Sequence, residues 1–155
     1  MSTPEFEVLL RAQEHAEVQP LEDDVWLVTM EGRVRQRVNV AVALRADRVS
    51  FYFFMVRAPR ENHSRFYHLL LRKNMRTFAM KYCLDADGDV WLMAELPRHG
   101  FDADELDRIL GVFYQESESA FEALVHLGYP GVFPPLGATP RGPAPIPSET
   151  GKGGA

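Results

Sequence analysis

Apolar positions along this chain switch between two periods, and each switch marks a new element. From Phe6 to Ala16, Phe6, Leu9, Leu10 and Gln13 fall on one side of a 3.6-residue repeat with Pro4 just ahead, which predicts a short amphipathic helix. Gln19-Pro20 is expected to end it, because the residue before a proline is pushed out of the helical region. A strand pattern then takes over. Val25 to Met30 is β-branched and aromatic, Glu31-Gly32 makes a turn, and Arg33 to Leu44 alternates as a half-buried strand does. Its apolar side holds Val34, Val38, Val40, Val42 and Leu44, and its polar side Arg33, Arg35, Arg37 and Asn39.

The third strand, Val49 to Val56, breaks that alternation. Phe51, Phe53 and Met55 point one way and Tyr52, Phe54 and Val56 the other, so both of its faces call for cover, the second by a helix or another chain. Pro59 closes the segment. Glu61 to Asn74 returns to helical spacing through Phe66, Leu69, Leu70 and Lys73, with Asn74 suited to a left-handed C-terminal position. Two more strands, Thr77 to Leu84 and Val90 to Leu96, flank Asp85-Ala-Asp-Gly-Asp89, a hairpin loop in which Gly88 can take positive φ. The last element is the clearest: Asp102 and Glu105 make a capping start, and Leu106, Ile109, Leu110, Phe113, Phe121 and Leu124 follow at helical spacing until Gly128 and Pro130.

Composition changes the picture at the C-terminus. Gly128 to Ala155 holds seven of the eleven prolines and seven of the eleven glycines, too little apolar material to offset ordering. We therefore expect one domain over residues 5–129 and a disordered Pro/Gly-rich tail over 130–155. The 155 residues suit a single domain, and 46% apolar with 25% charged residues is ordinary for a globular core. The acids Glu5 and Glu7 near the start and the lack of a long apolar run argue against a signal peptide or membrane span. A cytoplasmic location is expected, and the lone Cys83 within Tyr82-Cys83-Leu84 reads as a small buried hydrophobe.

Charge is uneven. The net charge of -5 conceals a basic middle, with twelve basic and two acidic residues from Arg33 to Lys81. That stretch raises a nucleic-acid reading: Arg33, Arg35 and Arg37 along one strand face, Arg65, Arg72, Lys73 and Arg76 on or after the middle helix, and Tyr52 or Tyr67 to stack on bases. Against it stands the pI of about 5.5 and two acidic helices in the same chain, which neutralise a basic sheet from within.

Candidate chemistry is sparse. Three carboxylates of Asp85-Ala-Asp-Gly-Asp89 could hold a divalent ion, but in calcium-loop register Val90 takes the glycine position and Leu96 that of the bidentate acid. A structural turn is the better reading. His63 and His68 are five apart, on different helical faces, so no two-histidine zinc motif forms. No nucleophile elbow, phosphate loop or cysteine pair is present. We expect no enzyme, no metal and no cofactor.

Four words then sharpen the assignment. Glu61-Asn-His63 opens the middle helix and Leu69-Leu-Leu-Arg-Lys-Asn74 ends it; Leu84-Asp-Ala-Asp-Gly-Asp-Val-Trp-Leu92 forms the last hairpin, and Asp104-Glu-Leu-Asp-Arg-Ile-Leu-Gly111 lies in the final helix. Together they resemble the YbjN domain family, above all its actinobacterial members, over about Phe6 to Tyr129. The order helix, three strands, helix, two strands, helix is similar to the type III secretion chaperone-like fold. The resemblance implies an α+β domain with a five-stranded antiparallel sheet, in a family described as sensory-transduction regulators, and no catalytic residue to carry over. The related secretion chaperones are dimers that bind extended client segments. We therefore expect a homodimer and a non-enzymatic protein-binding module, chaperone-like or a regulatory adaptor, with an unidentified client. The alternative is nucleic-acid or phosphate-ligand binding through the arginine face. The candidate partner-binding residues are Arg33, Arg35, Arg37, Tyr52, Phe54, Arg65, Arg72 and Lys73.

Overall fold

The chain enters its first helix through a reciprocal cap: Glu5 N–H donates to the Ser2 hydroxyl while Ser2 N–H donates to the Glu5 carboxylate, satisfying two donors that a helix start leaves free. A computed structural model describes residues 1–133. It consists of helix α1 (Thr3–Arg11), strands β1 (Ala16–Glu22), β2 (Val25–Glu31), β3 (Arg37–Leu44) and β4 (Arg48–Val56), helix α2 (His63–Asn74), strands β5 (Met80–Leu84) and β6 (Val90–Pro97), and helix α3 (Ala103–Gly128). The strands form one sheet in the order β1-β2-β3-β4-β6-β5, with every neighbouring pair antiparallel.

The expected α+β class and the succession of helices and strands hold, with one correction: the sheet has six strands, not five. The extra strand is β1, where the expected helix ends early and Ala16, Val18 and Pro20 pair with Met30, Val28 and Trp26. Pro20 carries the signal of a helix stop, but it sits in the edge strand β1, opposite Trp26, the kind of strand in which a sheet accommodates proline. The Pro/Gly-rich tail expected from residue 130 lies, from residue 134 on, outside the described residues.

A second correction concerns the arginines. Arg33 and Arg35 are not in a strand, because β3 begins at Arg37. Residues 32–36 form a loop closed by Gly32 N–H to Gln36 O at 3.2 Å. A Cβ on Gly32 would stand 2.0 Å from the Arg35 carbonyl oxygen, so the loop needs glycine there. Asn74 also departs from expectation. Its side chain bridges both backbone groups of Tyr82, accepting from the N–H at 2.8 Å and donating to the carbonyl at 3.3 Å. The left-handed residue of this connection is Ala79, at φ 56°.

All three helices pack on one face of the sheet. Phe6 of α1 meets Trp26 and Phe101, and Phe51 meets Phe101 and Phe113 of α3, with ring centroids 5.4–6.2 Å apart. Phe66 and Leu70 of α2 complete the core. Each such side chain taken wholly from water contributes roughly 1.5–3 kcal/mol.

Candidate binding surface

Register decides which side chains share the other face. Strands alternate, so the partners of the core residues' neighbours point away from the helices. Leu27, Ala41, Tyr52, Met93 and Lys81 are successive cross-strand partners over five strands, and Phe54, Trp91 and Cys83 form a second row over three. The result is an apolar, aromatic surface on the open side of the sheet. Phe54 and Trp91 meet edge to face, with centroids 5.3 Å apart at 85°, and Phe54 remains 37% exposed. Cys83, expected to be buried, stands half-exposed on this face.

The hairpin beside it is built from its own carboxylates. Asp85 accepts from the N–H groups of Asp87 and Asp89 at 2.9 and 3.0 Å and from the Trp91 indole at 2.8 Å. The indole first, and the backbone donors behind it, hold this carboxyl below the usual aspartate value. Asp89 accepts from Ala58 N–H at 2.8 Å. Two of the three loop carboxylates thus brace the turn and fix Trp91, and Gly88 supplies the positive φ, 81°. Among the described residues no group of three or more His, Cys, Asp or Glu side chains is arranged to hold a metal.

The candidate residues do not form one site. Tyr52 and Phe54 come together on the open face and are joined there by Trp91, Met93 and Leu27, which the sequence reading missed. The signal was present: β6 is apolar on both sides, as β4 is. Arg65 and Arg72 are exposed on α2, on the helix side of the sheet. Lys73 instead donates to Glu116 at 3.0 Å, beside the Tyr82 hydroxyl bonded to the same oxygen at 2.5 Å. Burial first, and then Glu116, push the Tyr82 pKa far above the usual tyrosine value.

The three arginines expected on one strand face part company. The Glu118 carboxylate accepts from the N–H groups of Arg33, Val34 and Arg35 at 2.8, 2.6 and 3.1 Å, which pins the loop to α3. Burial raises the Glu118 pKa, but these donors and the Arg35 charge outweigh it and leave the carboxyl below its ordinary value. Arg35 turns inward: its guanidinium lies 5.0 Å from the Phe53 ring centroid and 4.5 Å from that of Phe121, and donates to the Met55 carbonyl at 2.8 Å. Burial lowers its pKa, with Glu118 acting against the shift. Arg33 is exposed on the loop, and Arg37 lines an open groove between the α1–β1 turn and α3, among Glu14, Glu31, Asp104 and Asp107.

A second apolar patch stands apart from the sheet. Leu71 and Met75 project from the end of α2 at 69% and 88% exposure, and Phe78 follows at 58%. Arg108 lies over the Phe78 ring at 3.9 Å.

Comparison with known proteins adds a family and relatives. Residues 7–126 match the profile of YbjN, described as "Putative bacterial sensory transduction regulator". An uncharacterized protein of Mycobacterium leprae is 35% identical over 103 residues, 66% of this chain and 56% of the relative. One of Mycobacterium tuberculosis is 34% identical over the same length and shares. The matched region is thus just over half the length of these curated relatives. Among solved structures, the chain is similar to one from the heterodimeric complex ExoU-SpcU of the type III secretion system of Pseudomonas aeruginosa. That match has TM-score 0.49 and 19% identity, and covers 77% of this chain and 87% of that one.

Proposed function

The chain belongs to the YbjN family, and on that premise we propose that it is a non-enzymatic protein-binding module, a chaperone-like or regulatory adaptor, that docks an extended client segment on the open face of its sheet. One observation carries this: Leu27, Tyr52, Phe54, Trp91 and Met93 form a continuous surface on the side of the sheet away from all three helices. Contiguous apolar surface of this kind marks interaction sites on soluble proteins, and exposed aromatic rings bring large contact area at low entropic cost. The reading takes residues 5–129 as the domain and the cytoplasm as its location. It is supported there by the single thiol, and among the described residues no helix is long and apolar enough to cross a membrane.

A pull-down from native cytosol, with and without nuclease, tests it by comparing the wild-type chain with the pair Tyr52→Glu and Phe54→Glu. The expected client survives nuclease and is lost from the variant. Capture that nuclease abolishes, and that Arg33→Glu with Arg37→Glu also abolishes, would favour the phosphate-binding alternative instead.

The homodimer is part of the same proposal, and we assign it to Leu71, Met75 and Phe78, which leaves the open face free for a client. Their exposure, 58–88%, is higher than that of any ring on the sheet. Sedimentation at micromolar concentration should give twice the chain mass for the wild type and a monomer for Leu71→Glu with Met75→Glu. A wild-type monomer removes this assignment.

A further inference from the structure

A groove of about 1410 Å³ runs along α3, between that helix and the α1–β1 turn with the adjoining ends of β2 and β3. This exceeds the ~300–1,000 Å³ of a small-molecule pocket and suits a polypeptide element. Its α3 wall holds Ala103, Asp107, Leu110, Gly111 and Tyr114, spaced as one side of a helix.

Gly111 is the unexpected member of that wall. It lies inside α3, where glycine is less favourable than alanine, and it does not adopt positive φ. A Cβ placed on it would meet nothing within 4 Å, so no contact inside the chain asks for its small size. Bare backbone on the wall of a groove lets a second helix approach closely.

Charge narrows what that helix carries. Glu14, Glu17, Glu31, Asp104 and Asp107 line the groove against Arg37 and His15. Among the described residues none of these five carboxylates is ion-paired. An occupant that is both basic and apolar is complementary to such a lining. The chain itself displays one: Arg65, His68, Leu71, Arg72, Met75 and Arg76 are exposed along and just past α2, on the side opposite the buried Phe66 and Leu70. No acid occurs from residue 62 to residue 84, and of the basic residues on this helix Lys73 alone is paired, to Glu116.

The lengths agree as well. Arg65 to Arg76 and Ala103 to Tyr114 each span eleven residue steps, about 17 Å at the helical rise. Within one chain the two cannot meet, because α2 is bonded through Asn74 to β5, at the opposite edge of the sheet from β1. Laid antiparallel to α3, the basic C-terminal end of α2 falls at the acidic N-terminal end of α3, and the helix dipoles are favourably opposed.

We propose that the exposed side of α2 docks in this groove of a second copy, antiparallel to α3. The partner's Arg72 and the partner's Arg76 then meet Asp107 and Asp104, and the partner's Leu71 and the partner's Met75 pack toward Leu110 and Gly111. Each copy carries both surfaces, so a two-fold pair makes the contact twice and closes. This inference rests on the proposed homodimer and names the surface that receives its exposed helix.

Charge reversal in the full chain, followed by sedimentation at micromolar concentration, tests it. Asp104→Arg with Asp107→Arg, and separately Arg72→Glu with Arg76→Glu, should each weaken the dimer about a hundredfold, because like charges then face one another. Mixed in equal amounts, the two variants should recover the dimer mass. Each reversed groove then meets a reversed helix, and each native groove a native one, and the recovery shows that both variants are folded. Gly111→Leu should weaken the dimer about tenfold by filling the groove, with no fall in thermal midpoint, since leucine is the better helix former. A groove variant that remains dimeric overturns the proposal, and so does a mixture that stays monomeric. A helix variant that dimerises as tightly as the wild type overturns it by placing α2 against α2. If the wild type is itself a monomer, the parent assignment falls too. If Leu71→Glu with Met75→Glu gives a monomer but reversal of Asp104 and Asp107 does not, the groove alone is lost.

Discussion

The two faces of strand β4 carry two aromatic rings each and meet different surroundings. Phe51 and Phe53 are 0% and 3% exposed, under α3 and the Arg35 loop, whereas Phe54, on the other side beside Tyr52, is 37% exposed. The strand's composition is nearly symmetric, so the asymmetry comes from the helices, all of which fall on one side. Core burial stabilises the domain; the rings left over are available for binding.

Substitutions can break this comparison, and the largest effect is expected at Phe51. Phe51→Ala removes a fully buried ring between Phe101 and Phe113 and should cost about 3–5 kcal/mol in urea denaturation. An equal cost for Phe54→Ala would show that the open face is part of the core.

Glu118→Gln comes next, since Glu118 pins the loop that holds Arg35 over Phe53. Three charge-assisted hydrogen bonds weaken, and partial exposure discounts them to about 1–2 kcal/mol. The sign with pH follows from its lowered folded pKa. Its contribution is present above the unfolded value of ~4.3 and is lost as pH falls through the folded value. The wild type should therefore lose part of its acid-side stability that the Gln variant never has.

Tyr82→Phe should cost about 1 kcal/mol by removing one hydrogen bond to Glu116. Here the folded pKa is raised, so the contribution is full below the unfolded value of ~10 and declines as pH climbs toward the folded one. In an alkaline spectroscopic titration, Tyr82 should remain un-ionised after exposed tyrosines have turned. A normal tyrosine titration for all five residues would show that the α2–α3–β5 polar cluster is open to solvent.

The smallest stability change is expected from Phe54→Ala, less than about 1 kcal/mol, the worth of one exposed aromatic pair. Its large effect should be on client capture, and the separation of the two readouts is the sharpest form of the comparison.

Period alone made much of this molecule legible. Helix α3 has a capping aspartate, a long apolar stripe and a Gly128 stop, and the last hairpin has Gly88 where φ must be positive. Strand β1 was hidden because Pro20 carries the same local meaning in an edge strand as after a helix, and only pairing with Trp26 distinguishes the two. The arginines alternate through Arg37, yet the alternation does not continue as strand, because three N–H groups find Glu118, 83–85 residues away. Trp91 and Met93 were readable as apolar on the second side of their strand but not as neighbours of Tyr52 and Phe54.

The sequence by itself determined the local elements, the α+β class and the doubly apolar character of β4, since backbone propensity and hydrophobic period act within a few residues. Only the tertiary structure decided which face of the sheet stays open, which arginines are consumed within the fold, and that Tyr52, Phe54, Trp91 and Met93 share one surface. Those outcomes depend on strand register and on the side taken by helices distant in sequence, and no local pattern encodes either.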